Sequence, residues 1–219
     1  MPRDPTPASG RENVSMRHTP RYIVEDPNEV KRLIRKNAWA TFVSPASTGL
    51  VASHYPVILD PAIPDVDADE IVIISHFGRP DEVAHELGKH EILVIIQGPH
   101  DYISPSWYEP GDIIPTWNHV TAHLYGTPVI LSDDENYAML SELTDHFERH
   151  YEGGRSLSED EAGTRRVAKG TVGLRMRVTR FDARAKLSQN KQPGVVHTIT
   201  SNLEASNPGL AAEMRRARD

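Results

Sequence analysis

Aromatic, amide and hydroxyl side chains concentrate in two neighbouring stretches, residues 97–108 and 115–119. The prolines among them fix φ and remove backbone donors, so these stretches follow a rigid path. A rigid wall of aromatic and hydrogen-bonding groups suits a planar ring that is stacked upon and hydrogen-bonded at its edge. A packed loop with two structural tryptophans, Trp107 and Trp117, would show the same pattern.

Five histidines fall within or beside predicted strands: His54, His76, His100, His119 and His123. The last two are four residues apart, so they share one face of a strand or a helix. With a carboxylate, such a pair could bind zinc or a haem iron. No third ligand follows at an informative spacing, which favours core or surface histidines and predicts no metal site.

Gly78-Arg79-Pro80 lies between a predicted strand and a predicted short helix. Backbone amides at such a turn, together with one arginine, could bind a phosphate. A surface arginine at a turn is the simpler interpretation. The chain contains no glycine-rich dinucleotide fingerprint, no P-loop and no nucleophile elbow, which argues against a Rossmann cofactor site and nucleotide hydrolysis.

Short turns link the β-rich runs that must position these residues, predicted at 38–44, 49–59, 70–76, 91–98, 113–131 and 172–181. The last run alternates most clearly, so Leu174, Met176 and Val178 should face the core. Helices are predicted after Asp26 and over 81–87, 134–150 and 205–218. This order favours an antiparallel barrel of about six strands with peripheral helices over a parallel α/β sheet.

The composition limits which classes of function this chain could have. The 219 residues are 38% hydrophobic and 25% charged, as in a globular domain, and the absence of cysteine excludes disulfides and thiolate chemistry. Within the net charge of −7, residues 90–148 contain ten carboxylates and neither lysine nor arginine, a poor surface for nucleic acid. Because no apolar run is long enough to span a membrane and residues 1–15 are polar, we expect a soluble, cytoplasmic protein.

Five motifs occur in the same order in the PaiB family of FMN-binding negative transcriptional regulators, which this chain resembles over about residues 16–200. They are Ala40-Thr41-Phe42-Val43-Ser44, Gly49-Leu50-Val51-Ala52-Ser53-His54-Tyr55-Pro56, Gln97-Gly98-Pro99-His100 with Tyr102-Ile103-Ser104-Pro105-Ser106-Trp107-Tyr108, Pro115-Thr116-Trp117-Asn118, and Lys186-Leu187-Ser188-Gln189-Asn190. The resemblance implies a mainly β, FMN-binding split β-barrel related to flavin reductases and pyridoxamine-phosphate oxidases. It also implies a homodimer that holds FMN in a cleft between its subunits.

The resemblance further implies the cofactor-binding residues. Ser53, His54, Tyr55 and Pro56 would lie along the flavin ring, and Ser75, His76 and the turn at Arg79 would approach the ribityl phosphate. Thr116, Trp117 and Asn118 would close the site with Lys186, Gln189 and Asn190. Lys186, from the same subunit or its partner, is the expected second phosphate ligand.

One departure from the family pattern concerns the phosphate. The family has an Ala-Arg-Ala-Asn-Pro-like turn where this chain has Gly78-Arg79-Pro80-Asp81-Glu82. The two carboxylates behind Arg79 would oppose a phosphate unless they face away from it.

The expected organisation is a disordered leader (1–15), the FMN-binding domain (16–200) and a C-terminal helical tail (201–219). The expected function is a flavin-dependent redox protein that uses a reduced nicotinamide or another donor, or a redox- or metabolite-responsive negative regulator. No catalytic residue can be named, because the flavin ring itself would transfer the hydride.

Two alternatives remain open. One is a haem-binding or haem-degrading barrel with His54, His76, His119 or His123 as ligand. The other is a DNA-binding repressor without flavin chemistry, although the chain has no helix-turn-helix signature and no basic recognition helix, which argues against direct DNA binding.

Overall fold

The computed structural model describes residues 19–63 and 69–218. The predicted leader and the first residues of the predicted domain lie outside the described residues. The strands are β1 (Ile23–Val24), β2 (Trp39–Ala46), β3 (Gly49–Leu59), β4 (Val72–Gly78), β5 (Ile92–Ile103), β6 (Thr116–Gly126), β7 (Val129–Ile130), β8 (Thr171–Arg177) and β9 (Arg180–Lys186). The helices are α1 (Pro27–Lys36), α2 (Arg79–His85), α3 (Asp133–Glu148), α4 (Glu161–Ala168), α5 (Pro193–Leu203) and α6 (Pro208–Arg216).

All strand pairs are antiparallel, in the order β1-β9-β6-β5-β2-β3-β4-β8-β7. The mainly β, antiparallel architecture with peripheral helices is therefore confirmed. The sheet has nine strands where about six were predicted, because β1 is a two-residue addition and two predicted runs are divided, 113–131 into β6 and β7 and 172–181 into β8 and β9.

The division of the run predicted over 172–181 into β8 and β9 closes the sheet into a barrel. The predicted strand 172–181 bends at Val178 and Thr179, where the chain leaves β4 and pairs with β6. The Val178 amide donates to the carbonyl of Ile71 and the Thr179 amide to the carbonyl of Tyr125, each at 2.9 Å. A bend at which a strand changes partners is a common way of turning a sheet corner.

The alternation predicted for this region is correct up to the bend. Leu174 and Met176 are buried in the core, whereas Val178 is half-buried and packs against its edge. At the bend the strand changes its partners, so the last of the three side chains is only partly covered.

The loop predicted after Gln97 is instead the second half of β5, which continues to Ile103 through an irregularity between Gln97 and His100. Gly98 allows the close packing there, since a Cβ would lie 2.7 Å from Leu33 Cδ1. Pro99 is accommodated in the strand because the irregularity interrupts the regular hydrogen bonding.

Helix α1 begins as predicted, with the Asp26 carboxylate accepting a hydrogen bond from the Asn28 amide at 2.9 Å. Helices α2 and α3 begin within two residues of their predicted starts and end two residues before their predicted ends. The helix predicted over 205–218 is α6, and α5, which was not predicted, precedes it and contains the expected boundary at 200–201.

The two C-terminal helices belong to the main core. Ile199 and Leu203 of α5 and Leu210 and Met214 of α6 are fully buried there. The Arg32 guanidinium of α1 makes two hydrogen bonds to the Glu213 carboxylate of α6, at 2.6 and 2.7 Å. Although burial opposes ionisation, these bonds hold the pKa of Glu213 below its usual value, so the pair stays charged.

A second, smaller core lies on the outer side of the barrel. Ile58 and Ile74 pack there against Leu131, Met139 and Leu143, so α3 covers the sheet around β4. The capping box of Ser132 and Glu135 fixes where this helix starts.

Gly126 allows the barrel to close, because a Cβ at this position would collide with the Arg177 carbonyl oxygen and lie 2.9 Å from Met176 Cγ. We expect Gly126→Ala to reduce the free energy of unfolding in urea by about 1–3 kcal/mol through overcrowding. Gly194→Ala is the control, since its Cβ would meet nothing within 4 Å. Equal stability of the two variants would show that the close approach does not constrain the fold.

Candidate functional site

The outer side of β2, β3, β5 and β6, which we term the open face, is not covered by any helix within the described residues, unlike the sheet around β4. Its side chains are half-buried or exposed, whereas those between them, such as Phe42 and Val94, are buried in the core. The open face comprises Trp39, Thr41, Val43, Leu50, Ala52, His54, Leu93, Ile95, Trp117, His119 and His123. Trp39, Leu50 and Trp117 are 63%, 82% and 56% exposed, so the face is both apolar and accessible.

The strand register places a histidine on either side of the centre of the open face. His54 of β3 pairs with Thr41, Thr41 pairs with Ile95, and Ile95 pairs with His123. Burial lowers the pKa of His123, which keeps it neutral near pH 7 despite Asp182. A row of this composition offers a flat apolar surface with imidazole groups at both ends.

A polar network beneath β3 orients the turn that follows β4. The Asp81 carboxylate accepts hydrogen bonds from Tyr55 at 2.7 Å and from Ser53 at 2.9 Å, while the Tyr55 hydroxyl accepts one from the Gly78 amide at 3.1 Å. The bonds from Tyr55 and then Ser53 lower the pKa of Asp81, so it remains ionised. Asp81 is therefore directed towards β3.

The same network continues into the buried interior through His85. Its Nε2 lies 3.0 Å from Ser53 Oγ, and its Nδ1 lies 2.7 Å from the buried Ser44 Oγ. Neither Ser44 nor His85 was among the site residues expected from the sequence. The alternation of Ser53 and Tyr55 on β3 was the available signal, because it places two hydroxyl groups on one side of the strand.

Arg79 is the first residue of α2, at the strand-to-helix turn where it was expected. Its Nε donates to the Lys169 carbonyl at 2.6 Å, and its guanidinium approaches Asp133 at 3.4 Å and Glu82 at 3.8 Å. The Arg79 side chain is 46% exposed, and ion pairs of such residues contribute little. Exchanging these ion pairs of Arg79 for a contact with a phosphate would therefore cost little free energy.

Next to this turn, two buried polar atoms have no hydrogen-bond partner among the described residues. They are His76 Nδ1 and Asn136 Oδ1. His76 pairs across the sheet with Gly173, where a Cβ would lie 2.9 Å from the Asn136 oxygen. Burial lowers the pKa of His76, so its imidazole is neutral and could pair with a polar group of a ligand. Ser75, by contrast, is buried and donates to the Pro56 carbonyl at 2.7 Å.

The remaining predicted site residues lie on β6, β9 and the turn after β9. Lys186 contacts Thr116 Oγ1 and pairs across the sheet with His119. Trp117 is exposed beside Tyr102, with ring centroids 6.0 Å apart. Burial, together with Arg184 and Lys186, lowers the pKa of His119.

Three of these residues make contacts within the chain. Asn118 is fully buried and donates to Ser188 Oγ at 2.9 Å. Gln189 accepts from the Leu187 amide at 2.7 Å, and Asn190 accepts from the Tyr22 hydroxyl at 3.4 Å. These contacts stabilise the end of β9.

The predicted residues thus form two groups in one chain, one on β3, β4 and α2 and the other on β6 and β9. Gly78, which precedes Arg79, pairs with Thr171 at the start of β8, whereas Lys186 is the last residue of β9, beyond the bend at Val178 and Thr179. The two cations therefore lie near opposite ends of the β8–β9 segment. One chain does not bring both cations to the same phosphate.

In the part of the chain that the structure describes, no group of three or more histidine, aspartate or glutamate side chains is arranged to hold a metal ion. None of the helices in residues 19–63 and 69–218 is long and apolar enough to cross a membrane.

Comparison with known proteins identifies relatives of this chain. Residues 16–180 match the family described as "Putative FMN-binding domain". The chain is 30% identical over 207 residues to the protease synthase and sporulation protein PAI 2 of Bacillus subtilis, covering 90% of this chain and 94% of that protein.

Solved structures share the fold. One is the FAD and haem binding protein of Mycobacterium smegmatis, with a TM-score of 0.52 and 14% identity over 75% of this chain and 73% of that one. Another is the flavocytochrome Anf3 of Azotobacter vinelandii, with a TM-score of 0.53 and 8% identity over 74% and 68%. At these identities the likeness concerns the fold alone, and it confirms a split β-barrel.

His85 should make stability depend on pH. Burial lowers its pKa in the folded protein, an effect that His90 strengthens and Asp81 only partly offsets. Below about pH 6.5 the unfolded chain therefore binds more protons, and stability falls as the pH falls towards the folded-state pKa. Urea unfolding should show a smaller loss between pH 7.5 and 5.5 for His85→Gln than for the wild type.

At pH 7.5 the same variant should be less stable by about 1–3 kcal/mol, because the hydrogen bonds of Ser44 and Ser53 are disturbed. Other buried histidines contribute to the pH dependence of stability in both proteins. The difference between the stability losses of the wild type and the variant therefore isolates the contribution of His85. Identical losses in the two proteins would contradict its neutral, buried state.

Proposed function

Because this chain belongs to the PaiB family of FMN-binding split-barrel proteins, and FMN is its cofactor, we propose that it is a homodimeric flavin redox protein. The flavin would lie on the open face, between two subunits. The observation that most directly supports this proposal is the accessible, partly apolar surface of β2, β3, β5 and β6, with Trp39 and Leu50 largely exposed. Exposed apolar surfaces of this kind mark binding sites and interfaces.

A dimer would complete a site that one subunit leaves divided. A two-fold axis makes each contact twice, so one group of residues can face the other group across the interface. Arg79 of one subunit would then share a phosphate with Lys186 of the partner subunit. This arrangement does not require the two cations of one chain, which lie near opposite ends of the β8–β9 segment, to approach each other.

The phosphate end of this site would be formed at Arg79. The Asp81 carboxylate, which was expected to oppose a phosphate, is directed instead towards Ser53 and Tyr55. Glu82 and Asp133 remain near the guanidinium; Asp133 is 81% exposed and screened by solvent, whereas Glu82 is 27% exposed and lies 3.8 Å away. His76 could supply a further hydrogen bond through Nδ1, which has no partner among the described residues.

The ring end would lie along the open face of β3. His54 and Pro56 alternate there with Ser53 and Tyr55, whose side chains belong to the network beneath the strand. That network would hold β3 and the Gly78 turn rigid, so the ring and phosphate positions keep a fixed separation. FMN would supply the electron or hydride transfer, and the protein would position it and exclude water.

We propose that any negative effect on transcription is indirect and follows the redox state of the flavin or a bound metabolite. Residues 90–148 contribute no lysine or arginine, and β5 and β6, which lie entirely in that range, form half of the open face. DNA would find no lysine or arginine on these two strands to compensate its phosphates. A reduced nicotinamide or another small donor is the class of reductant that fits a flavin site of this kind.

The phosphate assignment is tested by titrating FMN and riboflavin into the wild type, Arg79→Ala and Lys186→Ala. Charge-assisted contacts contribute about 1.5–3 kcal/mol each, so each variant should weaken FMN binding about tenfold or more. Riboflavin lacks the phosphate, so its affinity should change little. Arg155→Ala, which removes an exposed arginine of an (i, i+4) ion pair, is the control. Equal losses for FMN and riboflavin would show that the two residues support the fold and do not bind the phosphate.

The dimer is tested by Ala52→Arg, which places a large charge at the centre of the open face beside Val43. Light scattering should give twice the 24.5 kDa chain mass for the wild type and a lower mass for the variant at micromolar concentration. Ala138→Arg on the exposed side of α3 is the matched control and should remain dimeric. A monomeric wild type, or a variant that dimerises as well as the control, would contradict this interface.

A further inference from the structure

A cavity of about 520 Å3 lies between the C-terminal ends of α1 and α3 and the end of β3. Its floor is apolar and includes Ile58 and Leu59, while Arg35, His146, Arg149 and His150 line its rim. A cavity of this size is within the range that holds small organic ligands. None of these residues belongs to the open face or to the proposed flavin site.

The rim is built around the Arg149 guanidinium. Its Nη2 lies 2.9 Å from His146 Nδ1, and its Nε lies 3.5 Å from His150 Nε2. Burial, followed by the charges of Arg149 and His150, lowers the pKa of His146, so this ring is neutral and can accept a hydrogen bond. The two imidazoles therefore hold the guanidinium in place without neutralising its charge.

The charge of Arg149 has no carboxylate partner within 4 Å among residues 19–63 and 69–218. Asp60 also lines the cavity, but it is buried and already bound to Arg175 at 2.6 Å and to the Ala62 amide at 3.0 Å. Arg35 has interactions of its own, and the inference does not depend on it. The cavity thus combines an apolar floor with a positioned cation.

Cations near a helix C-terminus often only offset the helix dipole, and Arg149 is the C-cap of α3. That role does not require two imidazoles to orient the guanidinium, nor an apolar cavity beside it. A planar guanidinium with free N–H groups matches a carboxylate particularly well. We propose that this cavity binds a small organic acid, with the carboxylate on Arg149 and the hydrocarbon part over Ile58 and Leu59.

Calorimetric titration of the full-length protein with three probes tests the ligand class. Hexanoate has both the carboxylate and the apolar part, acetate has only the carboxylate, and 1-hexanol has only the apolar part. Hexanoate should bind at least about tenfold more tightly than either fragment, because it alone uses both surfaces. Equal affinity for hexanoate and acetate, or no binding of hexanoate, would overturn the proposal.

Variants locate the site. Arg149→Met keeps the aliphatic stem but removes the charge, and it should weaken hexanoate binding about tenfold or more. Arg166→Met is the matched control, because Arg166 is also an exposed arginine near the end of a helix, on α4. If both variants weaken binding equally, diffuse surface charge is responsible and the proposed site is wrong.

A third variant distinguishes weaker binding caused by a lost contact from weaker binding caused by a damaged fold. His150→Gln changes an exposed ring and should preserve the thermal unfolding curve. In the wild type, hexanoate should shift the imidazole resonances of His146 and His150, and in His150→Gln it should bind more weakly. Binding that leaves the His146 resonance unchanged would place the ligand elsewhere and overturn the proposal. No step requires flavin, so the outcome is independent of FMN binding.

Discussion

The closure of the barrel at Val178 and Thr179 determines how the rest of the chain is arranged. Two consecutive amides there bind carbonyls of Ile71 and Tyr125, which lie on opposite sides of the closure. Because Gly126 has no side chain, β6 can approach the backbone of Arg177 closely enough for both bonds to form. Closure buries one side of every long strand and leaves the other side to be covered separately.

The described helices cover only part of the outer side of the sheet, and the candidate site lies on the part that they leave exposed. Helix α3 packs over Ile58 and Ile74, whereas the strands farther along the sheet keep Trp39 and Trp117 exposed. Beneath β3, the Asp81 carboxylate satisfies hydroxyl groups of the same strand that borders the open face. The interior network and the outer binding surface therefore share one strand, so a change in either should affect the other.

Local signals predicted the local structure well. The bounds of β3, the cap at Asp26 and the turn at Arg79 all follow from residue types close in sequence. The bend at Val178 could not be predicted in this way, because alternation continues into it and its hydrogen-bond partners are distant in sequence. The direction of Asp81 likewise depends on hydroxyl groups 26 and 28 residues away. The motifs indicated the family, and the division of the site residues into one group on β3, β4 and α2 and another on β6 and β9 emerged only from the strand order.

The most direct test of the central claim is a crystal structure of the protein with bound FMN. We expect a two-fold dimer in which the flavin ring lies on the open face beside His54. Its phosphate should lie within hydrogen-bond distance of Arg79 and of Lys186 of the partner subunit. FMN bound away from β3, for example between α3 and α4, or a monomer whose open face is solvated, would contradict the proposed site.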